Sequence, residues 1–176
     1  MTTVSSILMV IALGCQIVIP PTPQTKAPVP RDTYITLQRH PGVFERDAGR
    51  GYEVSVRSDG TLVFKRLKSV WLPDVELPDP IRTTVALEKI SQLVAEFDRI
   101  RYFSLKDRYA KVEDGCPAVW TDSASAVTSL TMDGKTKTIE HYYGCHADAG
   151  GPIYPEQLTD LEQTIDQILD TKRWLK

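Results

Sequence analysis

Two hydrophobic periods alternate along this chain and mark out its elements. Tyr34-Ile-Thr-Leu-Gln-Arg39 alternates apolar and polar positions, as a half-buried strand does. His40 to Gly51 carries three glycines and a proline and reads as a loop. Tyr52–Ser58 and Thr61–Arg66 resume the two-residue period around Asp59-Gly60, a hairpin signal. A two-residue turn would set Val56 opposite Val63 and turn Leu62 and Phe64 towards Arg57 and Ser55. A three-residue loop, Ser58-Asp59-Gly60, pairs Val56 with Leu62 and Val54 with Phe64. It buries one clean face, with Gly60 left-handed, and is the register predicted here. Trp71 to Arg82, punctuated by Pro73, Pro78 and Pro80, reads as a connection.

The period then lengthens to that of a helix. Leu87, Ile90, Val94, Phe97 and Ile100 form one stripe of a helix predicted over about Thr84–Arg101, with Lys89, Gln92, Glu96 and Arg99 opposite. A second hairpin spans Val127–Met132 and Lys135–Tyr143 and turns at Asp133-Gly134. Its alternation is poorer and leaves the register open. A second helix is predicted from Pro155, with Glu156 at its positive end and Lys172-Arg173 at its negative end. Leu158, Leu161, Ile165 and Ile168 supply its buried stripe. The fold class that follows is α+β, an antiparallel sheet of hairpins with two amphipathic helices on one face. Both hairpins turn on Asp-Gly and each precedes a helix, the pattern a degenerate ββα pseudo-repeat would leave.

Ahead of the first strand the patterning is different in kind. Ile7 to Leu13 reads ILMVIAL, followed by Gly14 and Cys15. A short apolar core, small residues and then Cys is the layout of a bacterial lipoprotein signal, cut before Cys15 so that its thiol carries the lipid. The first six residues lack Lys and Arg. Ala12-Leu13-Gly14 would also serve as an ordinary secretory cleavage site, and an uncleaved anchor is the third alternative. Ile19 to Asp32 holds five prolines and reads as an extended tether. The expected organisation is a signal over residues 1–14, a lipid-attachment Cys and Pro-rich tether over 15–33, and one α+β domain over 34–176. Gln16 after Cys15 is compatible with outer-membrane sorting in a two-membrane bacterium.

Composition adds two constraints. With 41% apolar and 25% charged residues the chain can build a core. Its net charge of −2, from 21 basic and 23 acidic residues, disfavours a nucleic-acid partner. Of the three cysteines, Cys15 is assigned to lipid, which leaves Cys116 and Cys145 for one disulfide in an oxidising compartment. The rival use is zinc, with His141, Cys145, His146 and Cys116 as ligands. The spacing His-x3-Cys-His matches no common zinc pattern, so no metal or other cofactor is expected.

Several segments together resemble one family. Ile35-Thr-Leu-Gln-Arg39, the Asp-Gly hairpin, Tyr102-Phe-Ser-Leu-Lys-Asp-Arg-Tyr109, the run from Thr128 to Gly144 and the closing Lys172-Arg-Trp174 resemble domain of unknown function 6438. That family occurs in bacterial exported proteins, often lipoproteins. The resemblance covers about Tyr34 to Trp174 and implies a fold and an envelope setting, with no activity to carry over. Where members carry Pro-Cys-Phe-Gly-x-Cys-Pro after the first strand, this chain has Pro41-Gly42-Val43-Phe44. Any role of those cysteines does not transfer.

Catalytic motifs are missing from the sequence: there is no Gly-x-Ser-x-Gly, His-Glu-x-x-His, phosphate loop or dinucleotide fingerprint. His141 is read as a partly exposed strand histidine, and Glu140 cannot orient it because strand neighbours point to opposite faces. Asp74, Glu76 and Asp79 make only a weak calcium set among prolines. Trp71, Trp120, His141, Tyr142 and Tyr143 are the candidate binding surface, since aromatics dominate contact hot spots. The expectation is a lipid-anchored, extracytoplasmic, non-catalytic binding or structural module. Its partners are the membrane, through Cys15, and an unidentified envelope protein. The alternative is a small extracytoplasmic hydrolase or metal-dependent enzyme using His141 and His146.

Overall fold

The computed structural model describes residues 29–42, 51–68 and 76–175. The leader, Cys15, most of the tether and Trp71 lie outside the described residues. The elements in chain order are β1 (Tyr34–His40), β2 (Tyr52–Arg57), β3 (Thr61–Arg66), β4 (Ile81–Thr84), α1 (Leu87–Arg99), β5 (Arg108–Tyr109), β6 (Ala118–Val119), β7 (Ser125–Met132), β8 (Lys135–Tyr142), β9 (Cys145–His146) and α2 (Glu156–Leu169).

A seven-stranded sheet runs β4-β3-β2-β1-β7-β8-β5, and β6 pairs with β9 in a separate two-stranded ribbon. All pairs in the large sheet are antiparallel except β5 with β8. The two hairpins lie on either side of β1, and the sheet is extended differently at its two edges, so the arrangement departs from a plain duplication. Val56 stands opposite Leu62 and Val54 opposite Phe64, the register of the three-residue loop, with Gly60 at φ 89°. The second hairpin closes on two residues, Asp133 and Gly134, both at positive φ, with Met132 opposite Lys135.

One correction concerns the stretch before α1. Ile81–Thr84 was expected as connection and helix start, yet it forms the edge strand β4 against β3. Its β-branched residues suit a pleated edge, and Val85 extends the pairing by donating to the Gly60 carbonyl. The helix therefore starts at Leu87, and its buried stripe turns to Ile90, Leu93 and Phe97, leaving Leu87 53% exposed. α2 buries Leu158, Leu161, Ile165 and Leu169, with Ile168 only partly covered. Lys89 reaches from α1 to the Ile168 carbonyl at 2.7 Å, satisfying an acceptor near the end of α2.

The core gathers Ile35, Leu37, Val54, Val56, Leu62, Phe64, Leu130 and Ile139 from the sheet against those helix stripes. Tyr102, in a 3-10 turn after α1, is 1% exposed and donates its hydroxyl to the Thr128 carbonyl at 2.6 Å. Among the described residues no helix is long and apolar enough to cross a membrane.

Candidate functional site

The registers of the sheet bring six residues into one cross-strand row. Arg66, Tyr52, Arg39, Ala126, His141 and Tyr109 stand opposite one another across β3, β2, β1, β7, β8 and β5. The next row along the same face, Phe64, Val54, Leu37, Thr128 and Ile139, is apolar but for Thr128, so most of the polar groups gather at one end of the buried face. α2 crosses it with Glu162 and Asp166, four residues apart and hence on one side of the helix. Ala126 has only a methyl group, which leaves room between Arg39 and His141 for the Glu162 carboxylate.

Glu162 and His141 are both fully buried. Nδ1 of His141 lies 3.1 Å from each Glu162 oxygen, and Nε2 lies 3.2 Å from the Tyr154 carbonyl. Tyr143 donates its hydroxyl to Glu162 Oε2 at 2.7 Å, Thr128 to Oε1 at 3.4 Å, and Arg39 approaches Oε2 at 3.5 Å. Asp166 is equally well satisfied. Its Oδ2 accepts Nε and Nη2 of Arg39 at 3.0 and 2.8 Å, while Oδ1 accepts Tyr52 at 2.6 Å and Thr171 at 2.8 Å. Each oxygen of both carboxylates thus has at least two polar partner atoms within 3.5 Å, which offsets the cost of taking these groups out of water.

The electrostatics follow from that geometry. Burial opposes the charge on Arg39, but Asp166 and Glu162 overcome it and raise the guanidinium above its ordinary value. Burial, reinforced by the negative charge of Asp166, pushes the Tyr52 phenol well up, so it remains a donor. The Arg39 guanidinium also sits 5.5 Å above the Tyr143 ring, a cation–π contact on a partly buried face.

Beyond the ends of β7 and β8 lies a second cluster. Cys116 and Cys145 are joined by a disulfide, and both are buried. β6 and β9 flank it, placing Val119 opposite Cys145 and Ala118 opposite His146. The Trp120 ring stacks on His146 at 4.5 Å and 26°, and His146 Nδ1 lies 2.8 Å from the Gly151 carbonyl. Trp120 donates its backbone N–H to Gly144 at 2.7 Å. A Cβ at Gly144 would run into the Trp120 carbonyl and the Tyr142 ring, so glycine is required for this close approach. The two clusters are connected: Tyr154 donates its N–H to the Cys145 carbonyl at 2.8 Å and offers its own carbonyl to His141.

The residues singled out from sequence divide accordingly. Trp120 is 50% exposed and remains a surface aromatic. His141 does not belong to a surface: contrary to the reading of a partly exposed strand histidine, it is fully buried because its ring fills the space beside Ala126 under α2. Tyr143 serves the Glu162 network, and Tyr142 accepts the Ser123 N–H on the other side of β8. Trp71 and Asp74 lie outside the described residues. His141 and His146 are held by different partners and do not converge on one centre, as the enzyme alternative required. Among the described residues no group of three His, Cys, Asp or Glu side chains is placed to hold a metal. Glu140 does point away from His141, pairing with Arg108.

Sequence reasoning missed Arg39, Tyr52, Glu162 and Asp166. One signal was present. Glu162 falls four residues after Leu158, between Leu161 and Ile165, in the middle of the apolar stripe. An acid there has to be buried, and a buried acid needs a partner from elsewhere in the fold.

A comparison with curated proteins found no match. The comparison with protein families did, over residues 48–169, which takes in both hairpins, both helices and the disulfide but leaves out β1. With most of its length matched, this chain belongs to the family described as domain of unknown function (DUF6438).

Proposed function

We propose that this protein is a lipid-anchored component of the bacterial envelope whose folded head is a non-catalytic binding or structural module. The observation that carries the reading is the closure of the buried network. A general base needs one ring nitrogen directed at a substrate, whereas both nitrogens of His141 are engaged and the ring has no access to solvent. The His–Glu pair therefore acts as an internal clasp between β8 and α2. The anchor rests on the apolar leader ending at Cys15, and the Cys116–Cys145 bond suits an oxidising compartment.

The test is the intact mass of full-length protein extracted from membranes, with and without reduction and alkylation. A chain starting at Cys15 and carrying acyl mass, with two thiols appearing only on reduction, is expected. An unlipidated chain, or one with Cys116 and Cys145 free, overturns the anchored-envelope reading. A hydrolytic turnover lost in Glu162→Gln while the fold is retained would overturn the non-catalytic part.

A further inference from the structure

We propose that the open edge of β8 takes up an extended peptide segment of a partner protein as a further strand, with an acidic side chain set against Lys135. This deepens the binding-module reading and rests on it. β5 covers only the end of β8, where Arg108 and Tyr109 pair with Glu140 and His141. The Glu140 N–H reaches away from β7 to the Asp107 carbonyl at 3.0 Å. Backbone direction alternates along a strand, so the N–H and C=O groups of Thr138 and Thr136 point out of the same edge. None of these four groups has a partner among the described residues.

Two donors and two acceptors in this arrangement define the class of occupant. They recur every second residue, about 7 Å along the strand, and an extended backbone repeats that distance with donor and acceptor in step. There is room for one. Before it joins β8, the chain from Phe103 to Asp107 leaves a cleft of about 470 Å³ between itself and Lys135, Thr136, Lys137 and Thr138. Phe103 forms one wall and is 37% exposed, a seat for an apolar side chain of the incoming strand.

Charge selects the partner. Lys137 is already engaged by Asp107. Lys135 is exposed and has no ion-pair partner among the described residues. A side chain directly opposite it on an added strand lies on the same face about 5 Å away, so an acid there supplies the missing pair. A second copy of this chain fits less well. Edge-to-edge pairing about a two-fold at Lys137 sets that lysine against itself, and a two-fold at Thr136 sets Lys135 against Lys137. Like charges directly opposite are destabilising. A two-fold at Thr138 needs the Glu140 N–H that Asp107 already holds.

The experiment follows hydrogen exchange of the Thr136 and Thr138 amides by NMR, in full-length protein in detergent. The probe is an eight-residue synthetic peptide alternating threonine with glutamate and valine. It should bind saturably and slow exchange at both amides. Lysine in place of its glutamates should weaken binding at least about threefold, the scale of one exposed ion pair. N-methylation of alternate peptide amides should weaken it at least about tenfold, through lost backbone hydrogen bonds. Thr138→Pro removes an edge N–H that β7 does not use, so the sheet should hold while binding is lost. Lys135→Glu, an exposed change that keeps the test open if the proline variant does not fold, should reverse the preference between the charged peptides. No saturable binding of the glutamate peptide, or binding that leaves both amides exchanging freely, overturns the proposal. Equal affinity for the two charged peptides overturns the acidic partner. Slowing of the same amides by raised protein concentration alone assigns the edge to a second copy and overturns the proposal too. Peptide binding by a chain that proves unlipidated would overturn the anchor alone, and a lipidated chain that binds no peptide would overturn this inference alone.

Discussion

Glu162 of α2 meets His141 of β8 at 3.1 Å with neither side chain exposed to solvent. Around them Arg39 and Asp166 make a second ion pair at 2.8 Å, and hydroxyls from Thr128, Tyr143, Tyr52 and Thr171 take up the remaining acceptor positions. Such a cluster adds little net stability over a well-packed apolar core, because each charge has first to leave water. Sliding α2 along the sheet would take both carboxylates away from these partners at once, so the contacts favour the observed register of the helix.

Removing one partner should therefore be costly. Glu162→Ala leaves Arg39, His141 and Tyr143 facing an empty buried site, and a loss of about 3–5 kcal/mol is expected in urea unfolding. His141→Ala should cost less in that background than in the wild type, by at least about 1 kcal/mol. Strict additivity in the double-mutant cycle would show that the two residues do not act as a pair.

Ala126 tests the packing that admits Glu162. It is fully buried and stands directly opposite both Arg39 and His141. Ala126→Leu should destabilise the protein by about 1–3 kcal/mol through overpacking. Val127→Leu, at a half-buried position one residue along and on the other face of β7, should cost clearly less. If both substitutions behave alike, the space beside Ala126 is not what seats the carboxylate.

Alkaline titration reports on two phenols. Burial raises the pKa of both Tyr52 and Tyr102 far above the ordinary 10.0, with negative charge from Asp166 adding to the effect on Tyr52 and from Glu162 on Tyr102. A group whose folded value is raised contributes stability that is present below the unfolded value and is lost as pH rises beyond it. Phenolate absorbance should show these two ionising only as the protein unfolds in alkali, and Tyr52→Phe should remove one of them. Ionisation of both near pH 10 with the fold intact would contradict the buried hydrogen bonds.

Acid acts at the opposite pole. The Gly134 N–H, against an opposing effect of desolvation and helped by the Asp133 N–H, holds the Asp32 carboxyl below the ordinary aspartate value of 3.8. Its contribution is present above that value and fades as pH falls through the depressed one. Carboxyl NMR should place the Asp32 midpoint below 3.8, and Asp32→Ala should free the Asp133 and Gly134 amides to exchange with solvent faster. A midpoint at or above 3.8 would mean that the turn is not capped in solution.

What was legible in the sequence was legible over short distances. The Gly60 register followed from comparing two loop lengths over a dozen residues, and the start of α2 from Pro155 and Glu156. In α1 the predicted stripe holds at Ile90, Phe97 and Ile100, while Leu93 is buried in place of Val94 and Leu87 is exposed, because Leu87 follows the edge strand β4 and that strand exists only through its pairing with β3. Periodicity within the segment cannot reveal a neighbour that arrives from elsewhere.

The sequence by itself determined the α+β class, the hairpins, the two helices, the family and the cysteine pair, because alternation, helical spacing and turn residues act within a few positions. The tertiary structure alone decided that both hairpins flank β1, and it assembled the site. Arg39 and Asp166 are 127 positions apart and His141 and Glu162 21 apart. They meet because the pairing of β1 with β2 and β7 puts one row of side chains beneath α2. Read locally, a charged residue looks like surface. It becomes core only when its compensating charge is brought to it from a distant part of the chain.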